Sequence, residues 1–573
     1  MEANKIINQT ISDLFNVSGF VVEHPGQEIW GDWATNAAMI VAKNEGINPG
    51  EVASEMIKKL QSDERLKEIV EKIEVAGPGF INFTLKDKYL AGEVGTINTE
   101  KENYGRNLRW NEQRVMVEFT DPNPFKQFHI GHLMSNAIGE SLSRLISFAG
   151  AKVKRACYQG DVGMHVAKSV WGIRELLKEG NKKIEDIGEL SLEDRIAFLG
   201  RGYALGAKGF AEEDKVKAEI NGLNKIIYER SEAGVNNIYD IGKKWSLEYF
   251  EVIYKKLGTK FDYYFFESQA GSFGLDLVKE HIEEGIFEES EGAVVFKGEK
   301  YGLHTRVFIN SMGLPTYEAK ELGLAKTKYE LYPYDKSVIV TGNEINAYFQ
   351  VLLKVMSLIY PDLAVKTIHI GHGMLNLRSG KMSSRTGNVV TGDSLLEDVS
   401  SEIMKKMEES GKVKDIENVD SVVNAVAVSA IKYSMLKQSP GKDISFDFET
   451  SLSFEGDSGP YIQYAYARAK SVLERAGKKS IQIEDMNLVD EERTLLRWLS
   501  RFEEMVDLSV KEMSPNFICS YLAELASRFN HFYANCQIVG DKKESDRLAM
   551  TQAVSWVLKN GLWLLGIETV EKM

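Results

Sequence analysis

Two histidines three residues apart stand in the run His129-Ile130-Gly131-His132. Ahead of them, Val115-Met116-Val117-Glu118-Phe119 has the apolar character of a buried strand. Behind them, Leu133, Ala137, Ile138, Leu142, Leu145 and Ile146 recur at helical spacing. The tetrapeptide therefore stands where a helix begins. A helix N-terminus exposes unpaired N–H groups and a positive dipole end, so it attracts phosphate. Two imidazoles there can donate hydrogen bonds to a phosphate whose charge shifts during transfer. Gly131 lets a nucleotide approach the backbone. On four residues alone, the competing reading is a turn with a polar helix cap. A second candidate is Lys381-Met382-Ser383-Ser384-Arg385, which follows Arg378-Ser379-Gly380. A Gly/Ser loop carrying Lys and Arg suits a leaving pyrophosphate; alone, it also reads as an exposed basic loop. The first tetrapeptide recurs at His369-Ile370-Gly371-His372. No helix start follows it, so it reads as a strand end, where Gly373 and Met374 would offer backbone groups to an adenine ring.

These residues need a scaffold. Val115 to Phe119, the helix behind His132 and the strand-like Val153 to Tyr158 make a β-loop-α-β unit, so a parallel sheet is expected. Val294 to Phe296, Arg306 to Ile309, Val338 to Thr341 and Thr367 to Ile370 read as further strands, and residues 172 to 260 as a charged helical insertion. Before this region lies a small α+β unit. Ile6, Ile7, Ile11, Leu14 and Phe15 mark one helix, Asn48-Pro49-Gly50 opens another, and Ile73 to Val75 and Phe80 to Phe83 flank the turn Gly77-Pro78-Gly79. Helical patterns dominate from Leu395 to Met573.

Composition narrows the class. A chain of 573 residues with 43% apolar and 27% charged side chains is ordinary for a soluble multidomain protein and excludes full disorder. The net charge of −14 argues against a basic coat over the whole surface but leaves room for a local basic groove. Cys157, Cys519 and Cys536 lie far apart with no CxxC pair, so neither a disulfide framework nor zinc is expected. The best apolar run, Val422 to Ile431, is too short for a membrane span, and the N-terminus lacks signal-peptide blocks. A cytoplasmic soluble protein is the expectation.

Taken together, the motifs resemble those of class I aminoacyl-tRNA synthetases, and specifically the arginyl-tRNA synthetase family. His129 to His132 match the HIGH signature, and Lys381 to Arg385 loosely match the KMSKS loop, with Ser384 in place of its second lysine. The block Glu118-Phe119-Thr120-Asp121-Pro122-Asn123-Pro124-Phe125-Lys126 resembles the arginyl lead into HIGH. Gly31-Asp32-Trp33-Ala34-Thr35-Asn36 and Gly77 to Asn82 are similar to the family's N-terminal domain. Phe454-Glu455-Gly456, Gly459 to Ala465 and the close through Gly566 to Met573 are similar to its anticodon-binding region. The resemblance runs over essentially the whole chain.

The resemblance implies a multidomain α/β protein: an N-terminal α+β tRNA-contacting domain over 1–97, a Rossmann-type parallel-sheet catalytic domain over 110–395 with the helical insertion, a helical connection over 396–455, and an all-α anticodon-binding bundle over 456–573. It implies that L-arginine and ATP, the latter with Mg²⁺, form arginyl-adenylate, and that the arginyl group passes to tRNA(Arg). His129, His132, Lys126 and Lys381 would be catalytic, with Lys126 standing in where the KMSKS lysine is missing. Gly131, Gly373, Met374, Ser383, Ser384 and Arg385 would hold ATP. Glu118 and Asn123 would hold the α-amino and carbonyl end of arginine. Tyr317 and Glu321, one helical turn apart, would hold its guanidinium, which needs carboxylates, with Asn343 and Asn82 assisting. Glu321 stands where the family commonly has Asp, and Asn343 where it often has Gln. Trp33 and Asn36 would face the tRNA elbow, and Tyr461, Gln463, Tyr464 and Arg468 the anticodon. A monomer is expected. Two other readings stay open: a cysteinyl-type synthetase, which would need a zinc-thiolate site that the three scattered cysteines do not suggest, and a non-catalytic tRNA-binding paralogue.

Overall fold

The computed structural model describes residues 2–377, 391–409, 416–477, 483 and 487–573. Lys381, Ser383, Ser384 and Arg385 lie outside the described residues.

Amphipathic spacing builds the N-terminal unit. Helix Glu2–Phe15 buries Ala3, Ile7 and Ile11, and helix Pro49–Leu60 buries Val52, Ala53, Met56 and Leu60. Asn48 caps the second helix by accepting the Gly50 N–H at 2.8 Å, with Pro49 at the first helical position. They cover an antiparallel sheet of β1 (Val22–Glu23), β2 (Trp33–Thr35), β3 (Val70–Ala76) and β4 (Phe80–Leu85), in the order β1-β2-β4-β3. The turn between β3 and β4 demands glycine at 79: its φ is +127°, and a Cβ there would sit 2.8 Å from that of Pro49.

The central sheet is parallel throughout. It contains β5 (Arg114–Glu118), β6 (Lys152–Gln159), β7 (Tyr263–Phe266), β11 (Lys336–Gly342) and β12 (Thr367–His372), in the order β12-β11-β5-β6-β7. Both faces are covered, which is why β5 reads as an unbroken apolar run: Val115 and Val117 join one buried cluster, Met116 another. The order reverses between β5 and β11. Ligands in such sheets bind beyond the strand C-termini at this reversal, and the HIGH turn leaves from there. The strands expected at 294–296 and 306–309 exist but lie elsewhere. β8 (Glu288–Ser290), β9 (Ala293–Phe296) and β10 (Arg306–Ile309) form a separate antiparallel sheet. Short loops join them, and only antiparallel pairing allows that.

The charged stretch after β6 is helical. Helices Met164–Glu179, Leu192–Glu212, Asp214–Glu229 and Ala233–Leu257 share an apolar core that includes Val170, Phe198, Ile220, Leu223 and Trp245. The last turns of Ala233–Leu257, with Phe250, Ile253 and Tyr254, pass into the main core. After β12, β13 (Leu375–Leu377) pairs in parallel with β14 (Ile444–Phe446), tying the sheet to the C-terminal helices. Helix Val419–Leu436 is long and apolar enough to cross a membrane, but 72% of it is buried in the protein, where it packs on Gly392–Glu409 and Gly459–Ala476. It is a core helix of the C-terminal bundle.

The N-terminal unit docks on that bundle. Asp32, buried, accepts the Leu85 N–H at 2.7 Å and holds Arg497 Nε at 2.5 Å and Arg493 Nη2 at 3.1 Å. Glu28 meets Arg528 at 2.7 Å, and His24 meets Glu504 at 2.9 Å.

Candidate active site

The loop from β5 to the HIGH helix is strained. Thr120, Asp121 and Phe125 all have positive φ, at 82°, 48° and 67°. Each such residue costs about 1–3 kcal/mol, so the surroundings must impose it. They do. The Thr120 N–H donates to Ser135 Oγ at 2.9 Å, and Asn136 Nδ2 donates to Thr120 Oγ1 at 3.0 Å. The Phe125 N–H donates to Ser246 Oγ at 3.0 Å. Gly139 brings the helix against the loop: a Cβ there would lie 2.1 Å from Phe119 Cγ.

The loop delivers His129 to the N-cap of helix Ile130–Phe148. His129 Nδ1 accepts the Gly131 N–H, and His132 Nδ1 accepts the His129 N–H, both at 3.1 Å. The rings stack with centroids 3.6 Å apart. Because each Nδ1 is an acceptor, these bonds assign the ring proton to Nε2 in both neutral imidazoles. Burial, then His129 and Lys126, holds the pKa of His132 well below its ordinary value, so it stays neutral. The turn thus presents two Nε2–H donors without adding a buried charge.

Lys126 is part-buried, and its ammonium lies 6.0 Å from the Tyr203 ring centre with no carboxylate partner among the described residues. Burial and the nearby Lys168 lower its pKa. The chain re-enters the described structure beside this turn: Thr391 bridges His129, and the Gly392 N–H donates to Phe128 O at 2.6 Å.

Acids and bases interlock at the end of β5. Glu118 pairs with Lys328 at 2.7 Å, both side chains 2% exposed. Glu267, opening the helix after β7, pairs with Lys320 at 2.6 Å, also buried. Lys320 and Lys328 share helix Tyr317–Leu331 with the predicted Tyr317 and Glu321. The Glu321 side chain has no hydrogen-bond partner among the described residues. Burial, and then the charge of Glu118, pushes its pKa up to about 8. Asp121 is raised as well, by burial and then Glu118. The cleft therefore holds a carboxyl that a guanidinium would ionise and pair. Tyr317, at the helix start, is 61% exposed. Asn123 Oδ1 accepts the Gly160 N–H at 3.1 Å, joining the β5 loop to the β6 end. Asn343 opens a short 3₁₀ turn at the end of β11. Glu267, Lys320 and Lys328 are site residues that the motifs do not indicate; the only hint of Glu267 is its place at a strand's C-terminal end.

Three expectations change. The Met374 N–H donates to Asp443 Oδ1 and its C=O accepts the Ile444 N–H, each at 2.8 Å, while the Gly373 C=O lies 2.8 Å from His372 Nδ1. Both Met374 backbone groups are thus engaged, so its adenine role is corrected, whereas Gly373 keeps its N–H to offer. Trp33 is 5% exposed and stacks on His24 at 3.9 Å, so it is core rather than tRNA-facing. Trp30 and Ile29, 48% and 85% exposed, occupy the neighbouring surface. Gln463 is fully buried and donates to Glu568 O at 2.6 Å, a structural role. Asn36 is part-exposed and accepts the Val21 N–H at 2.9 Å, while Asn82 sits within β4 opposite Ala34 and Glu74. No described hydrogen bond or ion pair joins Asn82 to the catalytic sheet.

In the helical bundle, Tyr461, Tyr464 and Arg468 line a cleft of about 600 Å³ with Lys406, Phe454 and Asn530. The Arg468 guanidinium lies 4.7 Å from the Tyr464 ring centre and 5.0 Å from that of Tyr533. Aromatic faces beside a cation suit stacking on unpaired bases.

Three family models match the chain: "Arginyl tRNA synthetase N terminal domain" over 1–85, "tRNA synthetases class I (R), catalytic domain" over 93–448, and "DALR anticodon binding domain" over 462–573. The chain is 32% identical to an arginine–tRNA ligase of Treponema denticola over 96% of its own length and 94% of that protein's. It is 31% identical to one of Clostridium acetobutylicum, covering 100% and 98%. Its fold is similar to that of Thermus thermophilus arginyl-tRNA synthetase, with a TM-score of 0.78 and 25% identity, covering 100% of this chain and 99% of that one.

Proposed function

The chain belongs to the class I arginyl-tRNA synthetases, and on that premise we propose that the cleft beyond β5 and β11 is where it activates arginine. The enzyme attaches L-arginine to tRNA(Arg) at the expense of ATP. A carboxylate oxygen of arginine attacks the α-phosphorus and pyrophosphate leaves. A ribose hydroxyl of the tRNA's terminal adenosine then attacks the adenylate's carbonyl carbon and AMP leaves.

The observation that carries the assignment is the double histidine cap. The Nε2–H groups of His129 and His132 donate to α-phosphate oxygens as charge gathers on them. They act as neutral donors, so no proton needs to move. Gly131 lets the nucleotide approach. Lys126, with no carboxylate partner among the described residues, offers its charge to the phosphates, and Lys381, with Ser383, Ser384 and Arg385, acts from the pyrophosphate side. Mg²⁺ enters with ATP as its substrate complex. Glu321 takes the guanidinium, with Tyr317 one helical turn away on the same helix. Glu118, whose charge Lys328 balances, and Asn123 hold the α-amino and carbonyl end, with Asn343 and Asn82 at the periphery. Tyr461, Tyr464 and Arg468 stack on anticodon bases, and Asn36 with Trp30 faces the tRNA elbow. The chain works as a cytoplasmic monomer, with the unit boundaries at 1–97, 110–395, 396–455 and 456–573.

The test is ATP–pyrophosphate exchange across all twenty amino acids, with and without tRNA. Exchange with arginine alone, and only when tRNA is present, is the expected result. Folded protein that binds tRNA but exchanges with no amino acid would overturn the reading in favour of a non-catalytic paralogue.

A further inference from the structure

We propose that Tyr158 is a further arginine-binding and specificity residue: its phenolic oxygen accepts one guanidinium N–H while its O–H donates to a pocket carboxylate. The proposal rests on the reading that the cleft beside Glu321 takes the arginine side chain.

Tyr158 lies on β6, where its backbone N–H donates to Asp121 Oδ1 at 2.7 Å. Strand alternation sends its ring to the opposite face from Cys157. Cys157 belongs to the core behind the HIGH helix, whereas Tyr158 packs in the cluster of Phe265, Ala270, Ala319 and Leu322. That cluster includes helix Tyr317–Leu331, the helix of Glu321. Tyr158 is 8% exposed, and its hydroxyl is buried with no hydrogen-bond partner among the described residues. The groups whose charges act on that hydroxyl are Glu267, Glu321, Tyr348 and Glu118. A buried polar group left unpaired is costly, and folded proteins rarely keep one without use.

The next residue sharpens the case. Gln159 is also buried, with both amide atoms unpaired among the described residues. Alternation turns it to the other face of the sheet, away from Glu321, so it is not part of this site. Tyr158 combines an unpaired group with the right face.

The chemistry matches the substrate. A guanidinium offers five N–H donors in a rigid fork and no acceptor. One carboxylate takes two of those donors in a bidentate pair. A phenol can accept a third while donating to the ionised carboxylate beside it. Lysine, a compact ammonium on a flexible stem, does not match this forked geometry.

The experiment compares Tyr158→Phe and Glu321→Gln in the full-length enzyme by arginine-dependent ATP–pyrophosphate exchange with tRNA present. Tyr158→Phe should raise the KM for arginine roughly tenfold to a hundredfold, leave the KM for ATP intact, raise the melting temperature of the free enzyme because an unpaired buried hydroxyl is gone, and reduce discrimination against lysine. A hydroxyl that is merely trapped in a core predicts the same gain in thermal stability with an unchanged KM for arginine, and that unchanged KM would overturn the proposal. If Glu321→Gln weakens arginine binding while Tyr158→Phe does not, the Tyr158 inference fails and the pocket stands. If neither variant changes the KM for arginine, the pocket reading fails with it.

Discussion

Glu321→Gln should weaken arginine selectively and remove its pH dependence. In the free cleft, burial and Glu118 raise the Glu321 carboxyl to about 8. Arginine binds the ionised form, so binding at pH 7 must first release a proton. One pKa unit corresponds to about 1.4 kcal/mol. Removing one partner of a buried charge pair costs about 3–5 kcal/mol. The difference, about 2–4 kcal/mol at pH 7, corresponds to a rise of roughly 30- to 1,000-fold in the KM for arginine. Because the guanidinium lies far from the reacting carboxylate, kcat should change little. The sign of the pH effect is set by the raised pKa: affinity improves as pH rises towards and past 8. The wild-type KM should fall by roughly eightfold from pH 7 to 8.5, since the protonated share of Glu321 shrinks over that window. The Glu321→Gln enzyme should show no such fall. The assay is pyrophosphate exchange at saturating ATP and tRNA, with arginine titrated at each pH. A wild-type KM that is flat across this range, or a Glu321→Gln variant with the wild-type KM, refutes the assignment.

Lys126→Ala should lower the adenylation kcat by about 10²–10³-fold without altering the KM for arginine; unchanged activity beside an inactive Lys381→Ala would assign the phosphate charge to Lys381 alone. Gly139→Ala should destabilise the protein by about 1–3 kcal/mol, because the new methyl overlaps Phe119. Chemical denaturation reads the loss, and kcat should drop because the strained loop moves. Asp32→Asn should cost about 3–5 kcal/mol by leaving Arg497 and Arg493 short of a buried counter-charge, measured as a lower unfolding midpoint and faster proteolysis of the N-terminal unit. Trp33→Ala should cost about 3–5 kcal/mol of stability, whereas Trp30→Ala should leave stability intact and raise the KM for tRNA; equal effects of the two variants would contradict their different exposures.

The parts of this molecule that follow one-dimensional rules were legible in the sequence. A strand buried on both faces must be apolar throughout, and a helix begins where the period changes, so β5, the HIGH turn and its helix could be placed from the residues. The spacing of Tyr317 and Glu321 also became a single helical turn. What decides Trp33 against Trp30 is two-dimensional: β2 pairs with β4, placing Trp33 beside Phe83 in the core, and nothing local marks that pairing. The ion pairs of the cleft were harder still. Helix Tyr317–Leu331 has no apolar stripe, and buries Glu318, Lys320 and Lys328 alongside Leu322 and Leu324. Read by hydropathy, those charges belong on a solvated face. Only β5, bringing Glu118, and the helix after β7, bringing Glu267, make those lysines interior groups. Gln463 misled for the same reason, because its carbonyl partner at Glu568 lies 105 residues away.

The docking of the N-terminal unit onto the last helices has a consequence during synthesis. Asp32 and Arg497 are separated by 465 residues. A ribosome adding about 5–20 residues per second needs roughly 25–90 s to span that gap. Throughout that interval the nascent N-terminal unit exists without the partners that neutralise Asp32 and Glu28. The first part of the chain to emerge is therefore among the last to reach its final surroundings. Until the closing helices emerge, the carboxylates of Asp32 and Glu28 lack the ion pairs that join them to Arg493, Arg497 and Arg528.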